Sequence, residues 1–386
     1  MSKFQVCFLG GLLILTAGCE WFSTNQSSFK TIKVTYPKTP KDLSVVDTFF
    51  GTSVPDPYRW LENRNSPTVK DWITAQRQTT QNYLKKIPFH DEIKNRLQEL
   101  WNYERYASPK RVNNFYYALK NNGLQDYDVL YRFSSLQDTN WTIVLDPNRF
   151  SKDGTIALSD FSFSRDGSLL AYEISENGSD WHTILLRDLS SNRPLLDSIR
   201  WVKYSNISWF RDGFFYSRFA TPEPDIAGFG QVRFQQVYYH RVGTPQENDV
   251  LVFADRAHPQ RNFSTYTTED ERFLILYATE SSAGNALYFK DLNTNPIEFT
   301  PIVENYNSSF EVVGNIGNSL LVLTDFKAPK YRLVQINTIR PEERYWEEII
   351  PETEDVLQNV HFFGGKMVAT YIHNASSLVK IFSQRG

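Results

Sequence analysis

Ala157-Leu158-Ser159-Asp160-Phe161-Ser162-Phe163-Ser164, then Asp166-Gly167, then Leu169-Leu170-Ala171-Tyr172 reads as an alternating stretch, a tight turn and an apolar return. Side chains alternate between the faces of a strand, so Ala157, Phe161 and Phe163 are expected on one side and Asp160, Ser162 and Ser164 on the other. Asp-Gly supplies the positive φ of a two-residue hairpin. The device returns in Ile207-Ser208-Trp209-Phe210, Asp212-Gly213, Phe214-Phe215-Tyr216. It occurs six times in all, with turns at Asn113-Asn114, Asp166-Gly167, Asp212-Gly213, Glu269-Asp270, Gly317-Asn318 and Gly364-Gly365. A period of about 40–50 residues with several short strands per unit is what radial repetition of four-stranded blades produces.

Each unit carries a third strand: Val129–Phe133, Thr183–Asp188, Val237–Arg241, Ala286–Asp291, Tyr331–Ile336 and Leu378–Phe382. Gly386 follows closely on the sixth, so that blade is expected to stop one strand short. The fold class is therefore all-β, a propeller spanning 102–386.

Composition supports a large packed core, since 386 residues include 28 Phe, 21 Tyr and 9 Trp, a load suited to packing broad sheets face to face. A net charge of -3 with interspersed Lys and Arg leaves no phosphate-tracking stripe, so nucleic acid is not an expected partner.

The first 18 residues read as a secretory signal: Lys3, an apolar run from Val6 to Leu15, then Thr16-Ala17-Gly18-Cys19. The run is too short to span a bilayer. This ending resembles a bacterial lipobox, with Thr16 where Leu is commonest, and implies lipidation of Cys19; an ordinary signal peptide with a coincidental cysteine is the alternative. The expected location is the bacterial cell envelope, on the periplasmic side or cell surface, with the membrane reached through the lipid anchor. Cys7 would be lost with the signal, which leaves no pair for a disulfide. Residues 19–31, rich in Ser, Asn and Gln, form a tether. Over 32–101 the chain reads as a short strand at Asp47–Gly51, a proline-punctuated turn at Val54–Tyr58, a helix capped by Ser66 and opened by Pro67 that runs toward Pro88, and a second helix from His90 bearing Ile93, Leu97, Leu100 and Trp101 on one face.

Asp56-Pro57-Tyr58-Arg59-Trp60-Leu61-Glu62, Asn122-Gly123-Leu124-Gln125, Asp153-Gly154-Thr155-Ile156-Ala157-Leu158 and Gly178-Ser179-Asp180-Trp181 occur in an order that resembles the prolyl oligopeptidase family, from about Tyr36 to the C-terminus. The resemblance implies a serine peptidase of two parts: an α/β-hydrolase that cleaves short peptides after proline, and a seven-bladed propeller that covers its active site. It also implies that 32–101 is the arm that packs on the hydrolase, and that about six of the seven blades are present. The family's nucleophile lies on a Gly-x-Ser-x-Gly elbow, because serine is inert until an oriented base takes its proton. No such elbow occurs in these residues. The chain is thus expected to stop before a catalytic domain, to hold no catalytic residue, and to act on proline-containing peptides only when a hydrolase is supplied. A stand-alone propeller lipoprotein that binds peptides or another protein is the competing expectation.

Through the same resemblance Val202-Lys203-Tyr204-Ser205 aligns with a stretch whose aromatic residue lines the substrate pocket beyond the proline site; the alternative makes Tyr204 an inward-facing strand residue. Asp180 and Trp181 read either as rim residues facing the hydrolase or as a plain strand start. His90, His182, His240, His258, His361 and His373 show no ligand spacing, and Asp126-Tyr127-Asp128 lacks the glycine and distal glutamate of a calcium loop. Gly228-Phe229-Gly230 has no following Lys-Ser/Thr and reads as a loop. No metal and no cofactor are expected.

Overall fold

The computed structural model describes residues 33–63, 66–220, 232–294 and 298–386. Cys7, Cys19, the tether 19–31 and Gly228-Phe229-Gly230 lie outside the described residues. The chain divides into two compact units, Met1–Glu99 and Leu100–Gly386.

In the first unit Val46–Phe49 and Thr52–Pro55 form a hairpin around Phe50 and Gly51, both at positive φ. The second half of that region is therefore strand, where the sequence suggested only a turn. Arg59 ties the hairpin to the following 3₁₀ turn through ion pairs with Asp47 and, at 2.6 Å, Asp56. Helix α1 (Pro67–Leu84) has Pro67 in its first turn. Ser66 occupies the N-cap position without a side-chain cap bond, unlike the expectation; its own N–H donates to Asn63 Oδ1 at 3.2 Å. The helix stops at Leu84, short of Pro88, with the Lys85 N–H still bonded to the Gln81 carbonyl. Helix α2 (His90–Trp101) leaves Ile93, Leu97, Leu100 and Trp101 exposed.

The second unit is a run of antiparallel blades, one per predicted repeat, with blades II and III joined into one continuous sheet where Val202 pairs with Arg218. Blade I holds Arg105–Tyr106 and Lys110–Val112, Phe115–Asn121, Val129–Phe133 and Thr142–Leu145. Blade II holds Ile156–Phe163, Leu169–Glu176, His182–Asp188 and Arg193–Val202. Blade III holds Ser208–Phe210, Gly213–Arg218, Gln236–Arg241 and Val250–Ala254. Blade IV holds Asn262–Thr267, Phe273–Thr279, Ala286–Asp291 and Thr300–Val303. Blade V holds Phe310–Ile316, Ser319–Thr324, Arg332–Asn337 and Glu347–Ile350. Blade VI has Val356–Phe363, Lys366–His373 and Ser376–Phe382. All six expected hairpin turns join the first and second strands of a blade, and every expected third strand is present.

Core side chains form seams between consecutive blades. Phe163, Leu170 and Tyr172 of blade II meet Tyr117 and Leu130 of blade I. Ile184 and Ile199 of blade II meet Phe214 and Tyr216 of blade III, whose Val237 in turn meets Phe263 and Leu276 of blade IV. Phe273 and Leu287 pack on Leu320 and Val334, and Leu321 and Leu333 pack on Met367 and Tyr371. Full burial of one such side chain stabilises by about 1.5–3 kcal/mol.

A bulge recurs on the fourth strand of blades I, III, IV and V, at the same step of the third strand: between Leu130 and Tyr131, Val237 and Tyr238, Leu287 and Tyr288, and Leu333 and Val334. The extra residues are Val144, Val252, Ile302 and Ile349, and each packs into a seam with its neighbour Leu145, Phe253, Val303 or Ile350. Two consecutive apolar residues reach the core because the bulge breaks the period of two. A further bulge between Leu158 and Asp160 overturns part of the alternation read above: Leu158, not Ala157, joins Phe161 and Phe163 in the seam toward blade I.

Blades II and III are also clamped through a buried imidazole. His240 Nδ1 lies 2.7 Å from Asp249 Oδ1, and Nε2 lies 3.1 Å from Asp197 Oδ1 on blade II. Asp197 also accepts the Gly243 N–H at 2.5 Å, and Asp249 accepts the Tyr216 hydroxyl at 2.6 Å. A ring with carboxylates at both nitrogens is an imidazolium. Burial is the largest influence and pulls its pKa down, yet the bonds to Asp249 and Asp197 outweigh it and hold the pKa above 6.5. Burial and the bond to Asp249 push the Tyr216 hydroxyl upward, so it stays a donor. A raised folded pKa gives stability that is complete below the unfolded value of about 6.5 and lost as pH rises through the folded value. Thermal unfolding followed across pH should therefore show a Tm that is level at acid pH and falls once His240 deprotonates. His240→Gln should remove that fall and cost about 3–5 kcal/mol by leaving buried carboxylates uncompensated; equal pH slopes in both proteins would exclude the clamp.

Candidate functional site

Antiparallel strands decide which loops share a face. The first two strands of a blade are joined at one end, so the loops between second and third strands, and the connections to the next blade, emerge together at the other end. On blade II this places Asn177–Trp181 beside the connection 203–207.

Tyr204 lies in that connection, at φ +53 and 56% exposed. The structure does not make it an inward-facing strand residue: the strand Arg193–Val202 ends two residues earlier. The Lys203 ammonium sits 5.0 Å from the centre of the Tyr204 ring and 5.6 Å from that of Trp181. It also pairs with Asp180 at 3.3 Å. Trp181 in turn meets Trp201 edge-on at 5.9 Å and Phe219 edge-on at 5.8 Å. The quadrupoles of the rings favour this geometry, with the positive edge of one ring against the negative face of another. A groove of about 600 Å³ runs along blade II from this cluster, lined in part by Asn177, Ser179, Trp181, His182, Arg200 and Trp201.

The backbone beneath Tyr204 is pinned from three sides. Gln235, completely buried, donates its amide to the carbonyls of Lys203 at 2.6 Å and Tyr204 at 3.2 Å. Ser205 Oγ accepts the Ser217 N–H at 2.8 Å. Asn206 exchanges bonds with the backbone of Thr265 on blade IV, donating to its carbonyl at 2.5 Å and accepting its N–H at 3.1 Å. A non-glycine residue in the left-handed region costs on the order of 1 kcal/mol, which these bonds offset. Farther round the same end, Arg261 joins Asp255 at 3.0 Å and Glu280 at 2.8 Å, with the Tyr306 ring 5.1 Å from its guanidinium.

Asp180 and Trp181, singled out by motif, are thus brought together with Tyr204. Sequence reasoning missed Trp201, Phe219 and Gln235. Trp201 adopts φ +63, which breaks the strand alternation, and Gln235 is recognisable only by its contacts. The histidines do not make a nucleophilic site. His182 Nδ1 lies 2.7 Å from the buried Glu173, His258 2.9 Å from Asp255 and His373 2.7 Å from Asp355. Among the described residues no histidine bonds a serine hydroxyl, and no cluster of three His, Cys, Asp or Glu could hold a metal ion. What the Tyr204 cluster offers is stacking and apolar contact around the Lys203 ammonium.

Residues 37–386 match the family model described as the N-terminal β-propeller domain of prolyl oligopeptidase. The prolyl endopeptidase of Elizabethkingia meningoseptica is 39% identical over 352 residues, which covers 91% of this chain and 49% of that protein. The prolyl endopeptidase of Elizabethkingia miricola is 39% identical over 376 residues, 97% of this chain and 52% of that protein. Among solved structures, prolyl oligopeptidase B of Galerina marginata bound to a 35-residue hydrolysis and macrocyclisation substrate superimposes with a TM-score of 0.78 at 28% identity, over 91% of this chain and 52% of that one. The chain spans about half the length of the curated relatives it matches.

Stacking holds the cluster more firmly than charge does. Trp181→Leu should lower stability by about 1–3 kcal/mol, the worth of two edge contacts at about 0.5–1.5 kcal/mol each. Asp180→Asn should cost under about 1 kcal/mol as an exposed ion pair. Guanidinium unfolding midpoints measure both, and the reverse ranking would contradict the assignment.

Proposed function

This chain belongs to the prolyl oligopeptidase family as its N-terminal propeller part, and on that premise we propose that it forms the substrate-gating half of a serine peptidase that cleaves short peptides after proline. The supporting observation is Tyr204: a ring held proud of the loop face beside Trp181 and Lys203, on a chain whose relatives are prolyl endopeptidases. These residues contain no Gly-x-Ser-x-Gly elbow, so the nucleophile and its base belong to an α/β-hydrolase domain. The propeller's part is to admit extended peptides, to exclude folded ones and to offer the Tyr204 face to an apolar side chain N-terminal to the proline. Agreement with the family pattern across 37–386 favours this reading over an independent binding module.

Tyr204 therefore bears on selectivity and leaves the chemistry untouched. With the hydrolase domain joined to the chain, Tyr204→Ala should lower kcat/KM for longer peptides by up to about tenfold, since an aromatic contact is worth about 0.5–1.5 kcal/mol beyond area. A dipeptidyl Gly-Pro substrate should be unaffected. Equal losses for both substrate classes would remove Tyr204 from the pocket.

We propose in addition that Cys19 is lipidated and that the protein is anchored in the bacterial envelope, facing away from the cytoplasm. The motivating residues are Lys3, the apolar run to Leu15 and Thr16-Ala17-Gly18-Cys19. One acyl chain binds membranes only marginally, so stable anchoring calls for more than one chain on the modified cysteine. Growth with a labelled fatty acid should mark the protein, and Cys19→Ala should abolish the label; a label that survives the substitution would end the proposal.

A further inference from the structure

We infer that Gln235 is the positioning residue for the Tyr204 face, and that through it peptide selectivity is coupled to the joint between blades III and IV. The inference rests on the reading of Tyr204 given above. Gln235 lies just ahead of the third strand of blade III and is completely buried. Its amide nitrogen donates to the carbonyls of both Lys203 and Tyr204, and its Oε1 accepts the N–H of Phe263 on blade IV. One side chain thus uses its donor end on the connection from blade II and its acceptor end on the first strand of blade IV.

This arrangement has the character of a positioning device. Two carbonyls converging on one point cannot satisfy each other, so the turn at Lys203-Tyr204 needs a donor from outside. Only the primary amide of glutamine or asparagine combines two N–H donors, one for each carbonyl, with an acceptor for the Phe263 N–H without carrying charge into a buried site, and asparagine is one methylene shorter. Without the amide, two backbone carbonyls lose their buried partner and Tyr204 loses the contact that opposes relaxation from φ +53. The Tyr204 ring would then sample orientations away from the Lys203 ammonium, while Trp181, held by Trp201 and Phe219, would stay in place.

The experiment uses the 386-residue chain with 3-fluorotyrosine placed at position 204, and fluorescein-labelled Phe-Gly-Pro and Gly-Gly-Pro peptides as probes. With Gln235 present, the fluorine resonance should be one narrow line, and the Phe-bearing peptide should bind about fivefold to tenfold tighter than the Gly-bearing one. Gln235→Leu should shift or broaden the line and bring the affinity ratio close to one, in protein whose far-ultraviolet dichroism is unchanged. Gln235→Glu keeps the size and the acceptor but sets a carboxylate oxygen against two carbonyls; it should act in the same direction and serves if the leucine variant does not fold. An unmoved fluorine line in a folded Gln235 variant would overturn the inference. If Tyr204→Ala keeps the preference for Phe, the pocket reading fails instead, and the fluorine line still reports whether Gln235 holds the turn.

Discussion

Each blade between the first and the last buries its two faces against the blades before and after it in sequence. That constraint makes the seams the carriers of stability: Ile184 with Phe214, Val237 with Leu276, Leu287 with Val334, Leu333 with Met367. No side chain from a distant repeat is needed for any of them. A seam defect should thus act locally, on two blades, in the manner of other repeat architectures where neighbours interact only with neighbours. The recurring bulge on the fourth strand serves the same end. It turns Val144, Val252, Ile302 and Ile349 toward the seams when strict alternation would face them to solvent.

The polar bonds between blades have a different task, which is register. Asn206 and Thr265 fix blade III on blade IV, and Asn285 fixes blade IV on Phe310 of blade V with bonds of 3.1 and 2.9 Å. The Trp209 indole donates to Ser162 of blade II at 3.2 Å. Apolar contact has no direction, and these bonds supply it. The His240 clamp between blades II and III adds charge to the same task, at a place buried enough that breaking it leaves carboxylates without a counter-ion.

Function on such a frame falls to the loops, since the blades are committed to packing. The Tyr204 turn lies where blade II hands over to blade III, and the bonds that shape it come from Gln235 and Ser217 on blade III and from Thr265 on blade IV. A change in the relative setting of these blades would therefore be felt at the ring. This links the mechanics of the propeller to its proposed selectivity without a contact to the peptide from any residue except those at the rim.

The blade count, the hairpin turns and the third strands were legible in the sequence, because alternation and turn chemistry are local properties, set by pleat geometry and by the few residues that accept a positive φ. The peptidase resemblance and its absent nucleophile elbow were legible for the same reason, as motifs read along the chain. Leu158 replacing Ala157 in the seam was not, since a bulge is settled by how two strands fit and leaves no fixed mark on either one alone. Nor was the site. Tyr204, Trp181 and Phe219 are brought together by three loops that share an end of the propeller, and Gln235 matters only because folding aims one amide at two carbonyls thirty-odd residues away in sequence. Contacts that close across blades exist only once the sheets are packed, and the tertiary structure alone decides them.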